Sequence, residues 1–219
     1  MAGAAFFDLD GTLLTANSAR LWVRRERRLG NVTRLDLLRV GAWLLGYHLG
    51  FLDMDAALRQ ALQRLKGQRE DEIRAQTRAW WLAEVRPYIA PGARKVLDEH
   101  KQRGEPLVLL TSSSRYASAM AREEFGLDDV LCQGYEVRDG AFTGEPEFPL
   151  CYGPGKVTLA EGWAKAHGVD LAESAFYSDS TTDLPMLERV GRPFTVGPDP
   201  RLRRTAQKRG WPILDWSKA

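Results

Sequence analysis

Two aspartates stand one residue apart near the start of the chain, where a short apolar run ends. The segment Phe6–Thr12 reads FFDLDGT, so Asp8 and Asp10 come directly before Gly11. Because side chains alternate between the faces of a strand, the two carboxylates are expected to project to one side, and the glycine allows a sharp turn. Such a pair can bind a hard cation such as Mg²⁺, or one carboxylate can attack an electrophile while the other moves protons.

Three further polar groups follow in order along the chain. They are a strand-like run that ends in Thr111 and Ser112, a lysine after a Gly-Pro-Gly turn (Lys156), and an acidic loop with Asp179 and Asp183. Each is weak alone, since Asp-x-Asp-Gly-Thr also fits a calcium loop or a turn. Together the four groups resemble the haloacid dehalogenase superfamily, most of whose members are phosphatases.

The resemblance implies a catalytic role for the first two aspartates and a metal role for the acidic loop. Asp8 is the expected nucleophile, which forms an aspartyl-phosphate, and Asp10 the expected general acid and base. Asp8 and Asp179 are expected to bind Mg²⁺ with the backbone carbonyl of Asp10, and Asp183 to bind through water or to orient these ligands. The cation offsets the repulsion between a carboxylate and an anionic phosphate.

The same resemblance assigns the remaining groups to the phosphate. Thr111, the backbone N–H of Ser112 and Lys156 are expected to bind the phosphoryl oxygens, where they stabilise the charge of the transition state. A lone lysine is more often a surface residue, but the place of Lys156 between the strand tip and the acidic loop favours function.

The chain beyond about residue 87 alternates between strand-like and helix-like segments. Strands are predicted at 106–111, 174–178 and 193–196, helices at 92–103, 114–125, 155–167, 183–189 and 200–209, and a hairpin at an Asp-Gly turn. With a first strand at 3–8, this order predicts an α/β fold, a Rossmann-like parallel sheet with helices on both faces. Ligands bind beyond the carboxyl ends of such strands, which is where Asp8, Thr111 and Asp179 fall.

Residues 16–86 show a helical pattern throughout, without a convincing strand. An all-helical insertion after the first strand resembles the type 1 cap of the superfamily, which implies a cap at 16–86 and a catalytic core at 1–15 and 87–219. The core looks most like the phosphoserine phosphatase branch, subfamily IB. That branch reads its substrate with a cap glutamate and a cap arginine. Here those positions are Asn17 and Ala61, with Arg59 close by, so Asn17 and Arg59 are the expected substrate contacts and phosphoserine specificity is not supported.

The activity expected from these features is Mg²⁺-dependent hydrolysis of a small phosphomonoester. Phosphoserine phosphatase proper, and a phosphotransferase or mutase that uses the same intermediate, remain alternatives within enzymes. A non-catalytic phospho-ligand-binding protein is disfavoured, since a relic site should have lost at least one acid or the lysine and none is missing.

Composition fits a globular enzyme: 219 residues, of which 44% are hydrophobic and 27% charged. A net charge of +2 gives no argument for nucleic acid. Cys132 and Cys151 are expected to be thiols in a cytoplasmic protein, since the catalytic strand at the N-terminus leaves no room for a signal peptide. We expect a monomer or homodimer.

The stretch 40–52 has no Asp, Glu, Lys or Arg. It is shorter than the ~20 residues that span a bilayer, so no transmembrane segment is expected. A buried helical hairpin or a partner contact is favoured there over weak contact with a membrane surface.

Overall fold

The computed structural model describes residues 2–31 and 54–217. Its centre is a six-stranded sheet whose strands all run parallel. In chain order these strands are β1 (Ala5–Phe7), β2 (Leu107–Ser114), β3 (Asp129–Gln133), β6 (Ala175–Ser178), β7 (Arg192–Val196) and β8 (Ile213–Leu214). Across the sheet they follow the order β3-β2-β1-β6-β7-β8. A separate antiparallel hairpin consists of β4 (Tyr135–Arg138) and β5 (Ala141–Pro146).

Strand β1 lies in the middle of the sheet because its sequence is apolar on both faces. Ala5 pairs with Leu107 on one side and with Ala175 on the other. Phe6 and Phe7 are both fully buried. A strand that is covered on both faces reads as a continuous apolar run, so the predicted parallel sheet is confirmed.

Helices cover both faces of this sheet, as predicted. The helices of the described residues are α1 (Ser18–Arg28), α2 (Met54–Leu62), α3 (Glu70–Trp80), α4 (Ala93–Gln102), α5 (Arg115–Phe125), α6 (Pro154–His167), α7 (Leu184–Arg189) and α8 (Pro200–Arg209). Phe7 belongs to one buried cluster with Leu97 of α4 and Ala121 of α5. Phe6 faces the other way, into a cluster with Trp163 of α6. The alternation of successive strand residues therefore divides the core into two layers.

Two edge strands were not predicted from the sequence. Strand β3 is mostly half-buried and opens with Asp129, and β8 has only two half-buried residues. Edge strands pair on one side only and need no continuous apolar run, so their sequences carry little signal. Strand β2 also continues past its predicted end, to Ser114.

The described part of 16–86 is helical, with interruptions. After α3 the chain forms a π-helical turn at Trp81–Val85 and a 3₁₀ turn at Arg86–Tyr88. Pro87 lies in the second turn, and since proline has no N–H to donate it ends regular helix. The apolar segment 40–52 lies outside the described residues. Within the described ranges, no helix is both long enough and apolar enough to cross a membrane.

The described part of 16–86 contacts both the buried cluster around Phe7 and the hairpin. Trp22 of α1 meets Trp80 edge-on, with ring centroids 5.1 Å apart, and Trp80 lies in the same buried cluster as Phe7. Residues just before α3 instead pair with the hairpin: the Gly67 N–H donates to the carbonyl of Phe142 at 2.8 Å. The division into a cap at 16–86 and a core stays a prediction, and the hairpin, which was counted with the core, contacts the cap segment.

Candidate active site

The predicted site residues meet at the carboxyl edge of the sheet. Asp8 directly follows β1, Thr111 lies near the end of β2, and Asp179 directly follows β6. Strand β1 lies between the other two. The Asp8 N–H donates to the carbonyl of Tyr177 at 2.9 Å, which extends the pairing of β1 and β6 to the catalytic position.

Lys156 joins two of the four predicted aspartates. Its Nζ donates to Asp8 Oδ1 at 2.7 Å and to Asp183 Oδ2 at 2.8 Å. The lysine lies in the first turn of α6 and is only 2% exposed. Ser178 Oγ donates to the same Asp183 oxygen at 2.7 Å. Asp183 therefore holds the lysine against Asp8, which the sequence did not indicate.

A tight turn aims Lys156 at this position. Pro154 is the first residue of α6, and Gly153 before it has φ +50°, a conformation that favours glycine. At Gly155 a Cβ would lie 1.9 Å from the carbonyl oxygen of Leu150. Only glycine fits there, so the Gly-Pro-Gly sequence lets α6 start close to the sheet with its lysine pointing inward.

Burial and charge set the pKa values of these groups. Burial raises the pKa of Asp8 to about 8, and Asp183 and Asp179 add to the rise while Lys156 opposes it. Burial also raises the pKa of Asp179 to about 7, with a contribution from Asp183. Burial lowers the pKa of Lys156, but Asp183 and Asp8 more than offset this, so its pKa is raised overall and it stays protonated. Asp8 and Asp183 thus share one ammonium group, and Asp179 is close enough to raise the pKa of Asp8.

This donor set fits a hard divalent cation. Its groups are carboxylate oxygens, the ligands that Mg²⁺ prefers. The contributions of Asp183 and Asp179 to the raised pKa of Asp8 show that these carboxylates lie close enough to repel one another. Among the described residues, no three ligand side chains already form an assembled metal cluster. Gly11 leaves room for the Asp179 carboxylate, because a Cβ on Gly11 would lie 2.2 Å from Asp179 Oδ2. The φ of Gly11 is +80°.

Asp10 is held by two serines that sequence reasoning missed. Its Oδ1 accepts from the Ser18 N–H at 2.7 Å, and its Oδ2 accepts from Ser18 Oγ at 2.9 Å and Ser113 Oγ at 3.1 Å. Burial raises the pKa of Asp10, and these hydrogen bonds, first those from Ser18, oppose the rise. The run of four hydroxyl residues at 111–114 was the available signal for Ser113. Nothing in the sequence marked Ser18.

A bulge shapes the phosphate-binding end of β2. Thr111 still pairs with β3, but the pairing resumes only at Ser114, so Ser112 and Ser113 stand outside it. Thr111 is buried and its Oγ1 accepts from the Ser113 N–H at 3.1 Å, whereas Ser112 is exposed. The bulge takes Ser112, whose N–H is predicted to bind phosphate, out of the register with β3.

The two predicted substrate contacts have other partners. Asn17 is exposed, and its Oδ1 accepts from the Arg20 N–H at 3.0 Å, so it caps helix α1. Arg59 forms an ion pair with Glu145 of β5, and its guanidinium lies 5.4 Å from the ring centre of Phe148. A substrate role for either residue stays a prediction.

Asp199 supports the acidic loop and was not predicted. Its N–H donates to the Asp179 carbonyl at 2.8 Å, and its Oδ2 accepts from the Thr181 N–H at 2.6 Å. The same side chain caps α8. Asp199 therefore fixes the acidic loop on both sides of Ser180. In the sequence, the position of Asp199 before Pro200 indicated only the start of a helix and not this contact with the loop.

Comparison with known proteins identifies the family. The model of the haloacid dehalogenase-like hydrolases matches residues 5–188. The chain belongs to this family. The match includes every element that bears a predicted catalytic, phosphate or metal residue, from β1 to the acidic loop after β6.

Several curated relatives of this haloacid dehalogenase-like hydrolase align over nearly its whole length. The "inhibition of morphological differentiation protein" of Streptomyces azureus is 34% identical, covering 98% of this chain and 79% of the relative. A histidinol-phosphatase of Neisseria meningitidis is 28% identical, covering 99% and 100%. A phosphoserine phosphatase of Mycobacterium tuberculosis is 31% identical, covering 99% and 71%.

Solved structures show the same fold. A protein of unknown function from Bordetella pertussis Tohama I superposes with a TM-score of 0.89 at 31% identity, covering 99% of each chain. A substrate-bound phosphoserine phosphatase superposes with a TM-score of 0.69 at 20% identity, covering 100% of this chain and 94% of the other. At that identity the second likeness shows the fold alone.

Proposed function

We propose that this hydrolase is a phosphatase that acts on a phosphomonoester of a small metabolite through an aspartyl-phosphate on Asp8. One observation carries the proposal: the Asp8 carboxylate is fixed at the end of β1 by Lys156, while the Asp10 carboxylate is held two residues further on by hydroxyl groups. A nucleophile and a separate proton carrier are the two groups that such a reaction needs. The names of two relatives, a histidinol-phosphatase and a phosphoserine phosphatase, support this activity.

In the first half-reaction, an oxygen of Asp8 attacks phosphorus and the bond between phosphorus and the leaving oxygen breaks. Lys156 holds Asp8 Oδ1 at 2.7 Å, so we assign the attack to Oδ2. Asp10 donates its proton to the leaving alkoxide. Thr111, the Ser112 N–H and Lys156 stabilise the charge on the phosphoryl oxygens.

In the second half-reaction, the ionised Asp10 takes a proton from water, and that water attacks phosphorus. The bond between Asp8 and phosphorus breaks, which releases phosphate and restores the carboxylate. The same group must therefore be protonated first and ionised later. The raised pKa of Asp10 supports this double role, because an acid works best when its pKa lies near the working pH.

We propose Mg²⁺ as the cofactor, since phosphatases of this family generally use it and the donor set described above fits it. Asp8, Asp179 and the backbone carbonyl of Asp10 would hold it, with Asp183 binding through water or orienting the others. When bound, the cation offsets the repulsion between the Asp8 carboxylate and the anionic phosphate. The cap at 16–86, the cytoplasmic location and the monomer or homodimer remain predictions from the sequence.

The contacts of Arg59 argue against phosphoserine as the preferred substrate. A substrate carboxylate would have to compete with Glu145 for this guanidinium, and the polar side chain of Asn17 caps α1. A buried amino-acid head group without charged partners loses several kcal/mol of binding, about 1–3 for each unsatisfied group. We therefore keep the substrate class at small phosphomonoesters. Transfer to an acceptor alcohol remains an alternative, which added alcohols would reveal as a second product.

The test is turnover of phosphoserine, histidinol phosphate and p-nitrophenyl phosphate with Mg²⁺ and with a chelator. Asp8→Asn should abolish turnover, and an acid quench should trap phosphate on the wild-type protein but not on this variant. The exposed Asp98→Asn is the matched control and should keep full activity. Substantial turnover by a folded Asp8→Asn protein contradicts the proposal.

A further inference from the structure

We infer that Ser18 and Ser113 are positioning residues for Asp10, so that the first turn of helix α1 sets the direction in which the general acid points. The inference rests on the proposed function, because it takes Asp10 as the acid of that reaction. Neither serine belongs to the residues assigned above to metal, phosphate or nucleophile.

The contacts fix the whole Asp10 carboxylate rather than one of its oxygens. Oδ1 accepts from the Ser18 N–H at 2.7 Å, and Oδ2 accepts from the hydroxyls of Ser18 at 2.9 Å and Ser113 at 3.1 Å. The two hydroxyls are themselves 3.2 Å apart. A carboxylate with both oxygens bound cannot rotate about its last bond without losing a partner, so this arrangement defines one orientation.

The two serines come from separate elements, and each is itself held. Ser18 is the first residue of α1, where Asn17 caps the helix and where Trp22 packs on Trp80 one turn further along. Ser18 is buried, at 4% exposure, and its N–H is one of the amides that a helix start leaves without a partner in the helix. Asp10 accepts a hydrogen bond from that N–H, so the start of helix α1 is bonded directly to the general acid.

Ser113 reaches Asp10 from the bulge in β2. Its N–H donates to Thr111 Oγ1 at 3.1 Å, and its own Oγ donates to Asp10. The residue proposed to bind phosphate and the residue proposed to protonate the leaving group are thereby connected through a single serine. A shift of the β2 tip would therefore disturb both Thr111 and the hydrogen bond from Ser113 to Asp10.

This arrangement has a kinetic consequence that a purely structural link does not have. A general acid must lie about 2.6–3.2 Å from the atom it protonates, and a misplacement of about 1 Å can cost 10²-fold in rate. An alkyl leaving group needs the proton, whereas p-nitrophenolate leaves readily without it. A misdirected Asp10 therefore slows alkyl phosphates more than aryl phosphates, while loss of packing slows both equally.

The experiment compares Ser18→Ala and Ser113→Ala with wild type on propyl phosphate and on p-nitrophenyl phosphate. Each variant should lower kcat on propyl phosphate by about 10-fold or more, below the 10²–10⁴ of complete acid loss, and change kcat on the aryl phosphate by less than about 3-fold. KM should stay close to the wild-type value on both. Ser113→Thr keeps a hydroxyl at this position and should therefore retain most of the activity on propyl phosphate that Ser113→Ala loses.

Two neighbouring hydroxyls serve as controls. Ser114→Ala removes the cap of α5, and Thr15→Ala removes a bond to the Tyr88 carbonyl; neither contacts Asp10, and neither should discriminate between the substrates. Equal losses on the two phosphates in both serine variants would overturn the inference. Should Ser18→Ala fail to fold, Ser113→Ala decides alone, since Ser113 stands outside the pairing with β3.

Asp10→Asn separates failure of the inference from failure of the proposed function. If this variant discriminates between alkyl and aryl phosphates and the serine variants do not, only the positioning role is wrong. If Asp10→Asn does not discriminate either, the assignment of Asp10 as acid fails first. In the Asp10→Asn background, Ser113→Ala should cause no further selective loss on propyl phosphate, because the two residues act as one unit.

Discussion

Replacing Lys156 by methionine isolates the charge at the centre of the site. Methionine keeps most of the apolar stem, so the change removes the ammonium group with little loss of packing. It leaves Asp8 and Asp183 buried without the cation that now lies 2.7 and 2.8 Å from them. Removal of one partner from a buried ion pair costs about 3–5 kcal/mol of the free energy of unfolding.

That cost should depend on pH, in a direction fixed by Asp8. Burial already raises the folded-state pKa of Asp8 to about 8 from an ordinary value of 3.8, and Lys156 holds it down. Without the lysine the folded-state pKa rises further, so the folded variant binds more protons than the folded wild type. Stability then falls more steeply with rising pH in the variant, and the destabilisation is larger at pH 8 than at pH 5.

Activity should fall as well, for two physical reasons. The further rise in the pKa of Asp8 leaves a smaller fraction of this carboxylate ionised as the nucleophile than in the wild type. A group proposed to stabilise the phosphoryl oxygens is also gone, which by itself costs about 10²–10³ in kcat. Urea unfolding at pH 5 and 8 and kcat on p-nitrophenyl phosphate measure the two effects. Lys165→Met, an exposed change on the same helix, is the control. Equal destabilisation at the two pH values, or a kcat above about a tenth of wild type, would refute this reasoning.

Three further results are expected. Gly11→Ala should destabilise the fold by about 1–2 kcal/mol through its positive φ, and it should raise the Mg²⁺ concentration needed for half-maximal activity because the added methyl would overlap Asp179. The control is Gly104→Ala, which has φ +69° and open space around it and should show the loss of stability alone. An unchanged Mg²⁺ requirement in Gly11→Ala would contradict the overlap with Asp179. Asp10→Asn should slow alkyl phosphates by about 10²–10⁴ and p-nitrophenyl phosphate much less, as steady-state kcat on the two would show. The metal-free protein should lose stability as pH rises from about 4 towards 8, since the folded-state pKa values of Asp8 and Asp179 (about 8 and about 7) lie above the ordinary 3.8. Mg²⁺ should therefore raise Tm more at pH 8 than at pH 5. An equal rise in Tm at the two pH values would count against these carboxylates as Mg²⁺ ligands.

The sequence was sufficient to predict the four central strands of the sheet and the edge where the site lies. Asp8, Thr111 and Asp179 each follow an apolar run, and parallel strands bring the ends of such runs to one edge. That argument needs only local patterns and their order along the chain. It fails for the edge strands, because β3 and β8 are buried too little to leave a pattern.

The contacts around Asp10 could not be predicted, since they depend on two local departures from regular structure. Ser113 reaches the carboxylate because β2 bulges between Thr111 and Ser114, and Ser18 reaches it because helix α1 begins at that residue. The two serines are 95 residues apart in sequence. Neither a bulge nor the first residue of a helix can be read from residue types with the needed accuracy of one position.

The structure also changes what a substitution at Asn17 means. In the phosphoserine phosphatase branch a glutamate at this position reads the substrate, whereas here Asn17 caps the helix whose first residue holds Asp10. Glutamate is a poorer cap, and loss of a good cap costs about 0.5–2 kcal/mol. A charge introduced at position 17 would therefore act on Ser18 as well as on the predicted substrate contact. The position predicted to read the substrate and the residue that holds the acid are neighbours in one helix turn, so a substitution made there to change specificity should also change proton transfer.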